Sequence, residues 1–202
     1  MPPVSFFNNF GLLGVPGFLD AKACAGLRRE IAGATAVSVT VGEEGGTFGV
    51  DESYRKTRRV DVSSAASSLV TERLLGLRDE ISETVGADVS GIQDPQFLVY
   101  RKGDFFRMHR DRDPAQDAPR FAGERRVSAV LFLNGESADP VPDTHSGGAL
   151  TLYGLIDDGR GGMVGLPVTA ETGSVIAFPS DMAHEVKPVT RGERYSVVSW
   201  FY

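Results

Sequence analysis

The sequence predicts an α+β domain that is mainly β: a sandwich or barrel of short strands buttressed by helices near the N-terminus. From about Gln96 onward, short apolar or alternating runs separated by Gly, Pro, Asn and Asp follow one another: QFLVYRKGD, RRVSAVLFLNGES, GGALTLYG, GSVIAFPSD and RYSVVSWFY. Many short strands between turn residues are the pattern of all-β sandwiches and barrels. Ahead of Gln96, two segments place apolar residues at helical intervals instead. A chain of 202 residues is long enough to bury a sizeable core and fits one catalytic domain. Within it, residues 1–95 read as helical support and lid, and 96–202 as the catalytic core.

The first helix is expected in VPGFLDAKACAGLRREIAGA, with Asp20 as N-cap and Cys24, Leu27 and Ile31 on one face. Cys24 then reads as a small core residue. A second helix carries Val70, Leu74, Leu77, Ile81 and Val85 as one stripe and ends at Gly86. Between the two, VSVTVGEEGGTFGVDESYRKTRRVDV reads as two strands around a glycine-rich loop, long enough to cover a site. Within it, Gly42 to Val62 is a candidate substrate lid, and Arg55 and Arg58 are candidate substrate contacts.

Composition narrows the function. The chain is 41% hydrophobic and 24% charged, with no apolar run near the roughly 20 residues a membrane span needs. The start, MPPVSFFNNF, lacks the basic and then apolar pattern of a secretory signal, and one cysteine permits no internal disulfide. A cytoplasmic protein without membrane attachment is expected. The net charge of −6 repels a phosphate backbone at long range, so nucleic acid is an unlikely partner. YRKTRR, Tyr54 to Arg59, is the basic patch that a nucleic-acid reading would need.

The chemistry centres on FFRMHRDRDP. On an extended segment, residues two apart share a face, so His109 and Asp111 can aim an imidazole nitrogen and a carboxylate oxygen at one point. Asp113 follows on the same alternation, but Pro114 disturbs it. His184 lies beyond a strand and turn, where a folded-over β domain can bring it back to the pair. Two His and one carboxylate on one face of an octahedron leave three positions open, which suits non-haem Fe(II), with zinc as the rival metal. His145, in the breaker-rich PVPDTHSGG, reads as solvent-exposed.

Ten residues after His184, Arg194 opens an apolar strand with Ser196 on the same face. A guanidinium entering such a strand needs an anion, and its planar fork suits a carboxylate.

Taken together, YRKGDFFRMHRD, RRVSAVLFLN, SGGALTLYG and TGSVIAFPSDMAHEVKPVTRGERYSVVSWF, in that order, resemble the Fe(II)- and 2-oxoglutarate-dependent dioxygenases of the prolyl 4-hydroxylase-like branch. The resemblance implies a double-stranded β-helix, or jelly-roll, core. It makes His109, Asp111 and His184 the iron ligands and Arg194 the partner of the distal carboxylate of 2-oxoglutarate, with Ser196 and Tyr100 beside it. It implies Fe(II), 2-oxoglutarate and O2, with ascorbate as a candidate reductant. The reaction implied is hydroxylation of an unactivated C–H bond, of a prolyl or other residue in a peptide or protein, with release of succinate and CO2. One departure stands out: AVLFLN has Leu131 and Phe132 where some prolyl hydroxylases carry a tyrosine, so Ser196, Tyr100 or Thr151 must replace its phenol. Halogenating relatives lack the carboxylate ligand, whereas Asp111 is present.

Three other readings compete. A hydroxylase of a free amino acid or other small metabolite would use the same iron site. A zinc hydrolase would use the same three ligands but has no need of Arg194. A non-enzymatic barrel binding module would want four ligands for a structural zinc, and cysteines among them.

Overall fold

The structure, a computed structural model, describes residues 1–38, 41–42, 48–49, 53–112, 120–139, 141–157, 159 and 162–202. Within the expected lid Gly42 to Val62, residues 43–47 and 50–52 lie outside the described residues, as does Asp113.

Two sheets make the core, with strands numbered along the chain. The larger has seven strands in the order β1 (Leu13–Val15), β13 (Val175–Pro179), β9 (Val127–Phe132), β16 (Arg194–Phe201), β7 (Gln96–Tyr100), β6 (Arg58–Val60) and β2 (Ala36–Ser38). The smaller runs β12 (Met163–Val168), β11 (Leu150–Asp157), β14 (His184–Val186), β8 (Phe105–His109) and β5 (Arg55–Lys56). Two short pairs complete the set: β3 (Val41–Gly42) with β4 (Phe48–Gly49), and β10 (Ser146–Gly147) with β15 (Val189–Arg191). The expected jelly roll is present as two open sheets packed face to face, and among the described residues no sheet closes into a barrel. The N-terminal part is more than helical support, because β1, β2 and β6 extend the larger sheet and β5 the smaller.

The strand alternation read from the sequence sorts the larger sheet into two faces. Val130, Phe132, Ile176 and Phe178 point inward and pack on Leu150, Leu152 and Val168 of the smaller sheet. Val127, Ala129, Leu131, Val175, Ala177, Val197 and Phe201 point outward and pack on the helices. There α1 (Ala21–Gly33) contributes Cys24, Leu27 and Ile31, all buried. Full burial of side chains the size of Leu27 and Ile31 contributes roughly 1.5–3 kcal/mol each. As expected, Asp20 caps this helix, its carboxylate accepting from the Ala23 amide at 2.7 Å.

The second helix expected from the sequence is two, α2 (Ser64–Leu75) and α3 (Arg78–Val85). Gly76 caps α2, and the Leu77 amide bonds to the Leu74 carbonyl, tightening one turn before α3 begins. Val70, Leu74 and Ile81 are nevertheless buried in one cluster, so the apolar stripe survives the kink. Gly86 ends α3 as the sequence predicts.

At Gly173, just before β13, φ is +80°, and a Cβ would stand 1.9 Å from the Leu19 carbonyl oxygen. The Leu19 amide in turn bonds to the Gly173 carbonyl at 2.9 Å, docking the approach to α1 on the sheet. Gly17, at φ +64°, has nothing within 4 Å of the same notional atom. Gly173→Ala should therefore cost at least about 2 kcal/mol and Gly17→Ala only about 1 kcal/mol. Urea midpoints of the two variants check this; equal losses would mean that close approach to Leu19 is not the constraint.

Candidate active site

Strand β8 reaches the site through an irregularity. His184 pairs with His109 and Val186 with Phe106, so two steps on β14 match three on β8. The extra residue lets Phe106 and His109 turn to the same interior face, where their rings stack with centroids 3.5 Å apart. Asp111 lies beyond the strand in a bend, and the Asp111 and Arg112 amides both donate to the Ser180 carbonyl, at 2.9 and 2.8 Å. The expected convergence is thus achieved by a bulge and a bend where the sequence suggests plain alternation.

His109, Asp111 and His184 each offer one ligand atom, and these atoms lie within 4.8 Å of one another. His109 Nε2 is 3.5 Å from one Asp111 oxygen and His184 Nε2 is 3.4 Å from the other. Each ring donates its Nδ1–H to a backbone carbonyl, His109 to Arg107 at 2.8 Å and His184 to Met182 at 2.9 Å. That fixes the orientation of each ring and aims at Asp111 its Nε2, the atom that a neutral imidazole would offer to a metal. The Ser128 hydroxyl donates to Asp111 Oδ2 at 2.7 Å and accepts in turn from Ser180 Oγ at 3.0 Å. Burial pushes the Asp111 carboxyl up, but His184, His109 and Ser128 outweigh it and hold the group well below the usual carboxylate range. Burial pushes His184 down, against the pull of Asp111. A carboxylate and two neutral imidazoles are the donor set of a divalent transition metal.

Arg194 stands on the interior face of β16, fully buried. Its NH1 donates to Ser196 Oγ at 2.8 Å, whereas Nε and NH2 are buried with no hydrogen-bond partner. Among the described residues no carboxylate lies within 4 Å of it; the nearest acidic influence is Glu136. Two adjacent unpaired N–H groups on a buried cation present a fork that matches one carboxylate. Space for the stem is made by Gly148, where a Cβ would come within 3.0 Å of Arg194 Cδ. Tyr100, directly opposite in β7, puts its ring 5.2 Å from the guanidinium carbon, and Phe132 stands at 5.5 Å. Phe132 therefore occupies the inward place where a tyrosine was looked for. Thr151 does not replace it, because Leu150 and Leu152 take the inward positions of β11 and Thr151 faces the other way, against Gly165 and Tyr153.

Other expectations are redistributed. Arg55, in β5, lies over the Phe106 ring at 4.4 Å and is influenced by Asp111 and Tyr100, so it is part of the site. Arg58 is not brought there: it pairs with buried Asp104 at 2.8 Å from the helix-facing side of β6. His145 is not exposed, as its loop suggests, but entirely buried, donating Nδ1–H to the Gly147 carbonyl at 2.8 Å. Two residues were missed. Arg125 stacks over Trp200 at 3.6 Å and donates to the Asp111 carbonyl at 3.2 Å. The inward parity of Trp200 on β16 is its legible signal; nothing local marks Arg125.

The profile of the 2OG-Fe(II) oxygenase superfamily matches residues 95–202. A PKHD-type hydroxylase of Shewanella sp. (strain MR-4) is 29% identical over 198 residues, 94% of this chain and 77% of the relative. The crystal structure of a Pseudomonas putida prolyl-4-hydroxylase superposes with a TM-score of 0.69 at 29% identity, covering 98% of this chain and 96% of that one. A prolyl hydroxylase from Trichoplax adhaerens, solved with a hypoxia inducible factor peptide fragment, shares the fold at a TM-score of 0.67 and 17% identity, covering 98% and 86%. The chain belongs to the 2OG-Fe(II) oxygenase superfamily. It is an enzyme, a 2-oxoglutarate-dependent dioxygenase of prolyl 4-hydroxylase-like type that uses Fe(II), 2-oxoglutarate and O2. That sets aside the zinc hydrolase and the non-enzymatic module. No helix among the described residues is long and apolar enough to cross a membrane.

Two measurements follow from the geometry. Ser128→Ala removes a hydrogen bond to Asp111 without touching a ligand atom, and should weaken Mn(II) binding about tenfold or more; unchanged affinity would show that Ser128 does not orient the carboxylate. Burial and the charge of Arg194 push His145 down to about 4, against its bond to Gly147. As pH falls below about 6.5 the unfolded chain takes up the His145 proton first, so stability is lost progressively until about pH 4, by roughly 3 kcal/mol. His145→Asn should flatten the fall of urea midpoints between pH 7 and 4 by about that amount, leaving the share of His184, which burial also pushes down.

Proposed function

We propose that His109, Asp111 and His184 hold Fe(II), that Arg194 with Ser196 and Tyr100 holds 2-oxoglutarate, and that the substrate is a prolyl or other residue in a peptide or protein. The single observation that carries this is the unpaired fork of Arg194, Nε and NH2 buried on the same interior as the triad. A structural arginine would not be left with two donors unmet, because an unmade buried hydrogen bond costs about 1–3 kcal/mol. The identity to a PKHD-type hydroxylase and to a prolyl-4-hydroxylase structure supports the hydroxylation of a peptidyl residue over that of a free amino acid.

Bound Fe(II) supplies the O2 activation that couples decarboxylation of 2-oxoglutarate to succinate and CO2 with insertion of one oxygen into a C–H bond. The chain itself positions. The two Nε2 atoms and one Asp111 oxygen would hold the metal, and a donor set of three leaves room for cosubstrate and O2. Arg194 anchors the distal carboxylate, with the Ser196 hydroxyl, already accepting from NH1, turning its own proton toward the ligand. Phe132, Phe178 and Leu152 wall the interior and exclude water. Arg55, from the lid side, meets the substrate. Residues 1–202 act as one catalytic domain, in the cytoplasm, with ascorbate available to restore the reduced metal.

Incubation with Fe(II), 2-oxoglutarate and candidate peptides should yield succinate and a mass gain of one oxygen. His109→Ala, Asp111→Ala and His184→Ala should each abolish turnover; activity in any two of them defeats the triad. Arg194→Ala should raise the KM for 2-oxoglutarate by the equivalent of about 2–5 kcal/mol while Mn(II) affinity barely changes. An unchanged KM would return Arg194 to a structural role.

A further inference from the structure

Arg55 brings a second guanidinium to the same interior, half-buried and with its Nε fully covered, and the cosubstrate does not account for it. It sits in β5, paired to Phe106 of β8, with its guanidinium carbon 4.4 Å above the Phe106 ring. That ring stacks on His109, so the cation stands one aromatic thickness from a ligand of the triad. Its Nε is buried and makes no hydrogen bond, and among the described residues no carboxylate lies within 4 Å of the side chain. The guanidinium donates a hydrogen bond to the Tyr100 hydroxyl and feels the Asp111 charge, with Arg59 and Arg125 opposing it. Asp111 is committed to Ser128 and the two histidines.

The charges at the site therefore do not balance once the proposed ligands are assigned. The distal carboxylate of 2-oxoglutarate goes to Arg194 and the other end of the molecule to the metal, which leaves Arg55 facing the site with no carboxylate within 4 Å among the described residues. A guanidinium with a buried N–H left unmet, as at Arg55 Nε, gains from a counter-charge or a further acceptor. We infer that the substrate brings that counter-charge: a carboxylate, within a residue or two of the C–H bond that is oxidised, received by Arg55. The inference rests on the reading of Arg194 as the cosubstrate anchor. The same carboxylate could come from an acidic side chain of a peptide or from a small free acid; a peptide is the form adopted here, since β5 ends the smaller sheet among the described residues, where an extended chain can lie.

The test separates charge recognition from folding and from the cosubstrate. The full chain is loaded with Mn(II) and 2-oxoglutarate in the absence of O2, and titrated with acetylated, amidated peptides of frame Gly-Ala-X-Pro-X-Ala-Gly, X being Glu, Gln or Lys. Free L-glutamate and L-proline form a second arm. The Glu peptide should bind about tenfold more tightly than the Gln peptide, the size of one charge-assisted hydrogen bond. Arg55→Gln should erase that difference, and Arg55→Glu should invert it toward the Lys peptide, which a merely structural arginine would not do. Tighter binding of free L-glutamate than of any peptide assigns the carboxylate to a small acid, and overturns the peptide form. Equal binding of the Glu and Gln peptides, binding of none of the probes at millimolar concentration, or a discrimination that survives Arg55→Gln overturns the inference. Affinity of the wild-type protein for 2-oxoglutarate, measured in the same complex, reports separately on the Arg194 reading. If Arg55→Gln loses 2-oxoglutarate and leaves the peptide preference intact, Arg55 belongs to the cosubstrate and the inference fails.

Discussion

The carboxylate of Asp111 is where the two sheets are tied together. It lies two residues past the end of β8 in the smaller sheet, yet its backbone and that of Arg112 hang on Ser180, just past β13 of the larger sheet, and its side chain accepts from Ser128 of β9. A buried carboxylate is costly unless its lone pairs are met, and here the Ser128 hydroxyl donates to one oxygen while the two imidazoles stand 3.4 and 3.5 Å away. The same contacts that make the carboxylate tolerable also fix the distance between the sheets at the mouth of the site. Structure and chemistry share one set of bonds.

The rest of the interior shows the opposite strategy. Arg194 is buried with Nε and NH2 unmet, and half-buried Arg55 with Nε unmet, so the polypeptide alone leaves positive charge in a medium of low dielectric. Folding energy from the helix-packed outer face of the larger sheet, with Leu27, Ile31, Val70 and Ile81 fully covered, offsets that strain. Ligands relieve it, which is why affinity for anions can be high without many contacts.

Much of this was legible in the sequence where periodicity is the physical cause. Asp20 as a cap, the buried face of α1, and the parity that sends Arg194, Ser196 and Trp200 inward follow from local geometry alone. What failed had non-local causes. His145 sits among Pro, Gly and Ser, which look like a surface loop, but β10 and β15 fold that loop over Arg194 and bury it. The stripe from Val70 to Val85 has no break in its apolar spacing, and the kink at Gly76 shows only in the hydrogen bonds. Arg58 and Arg55 look alike in YRKTRR, yet the chain crosses from one sheet to the other between them, so one meets Asp104 and the other the site. Arg125 is placed by its stack on Trp200, a contact between residues far apart in the chain.

The division of β16 into two faces also bears on how a gene encoding this chain can change. Arg194, Ser196, Val198 and Trp200 look into the site, while Tyr195, Val197 and Phe201 look into the helical layer. A codon exchanged at one of these positions alters one face only. A single codon gained or lost within the strand would exchange the faces for every residue beyond it, sending chemistry into the apolar layer and apolar side chains toward the metal. The strand is open to spelling changes and closed to changes of length, so variation among descendants should be confined to letters here and to length in the loops outside it.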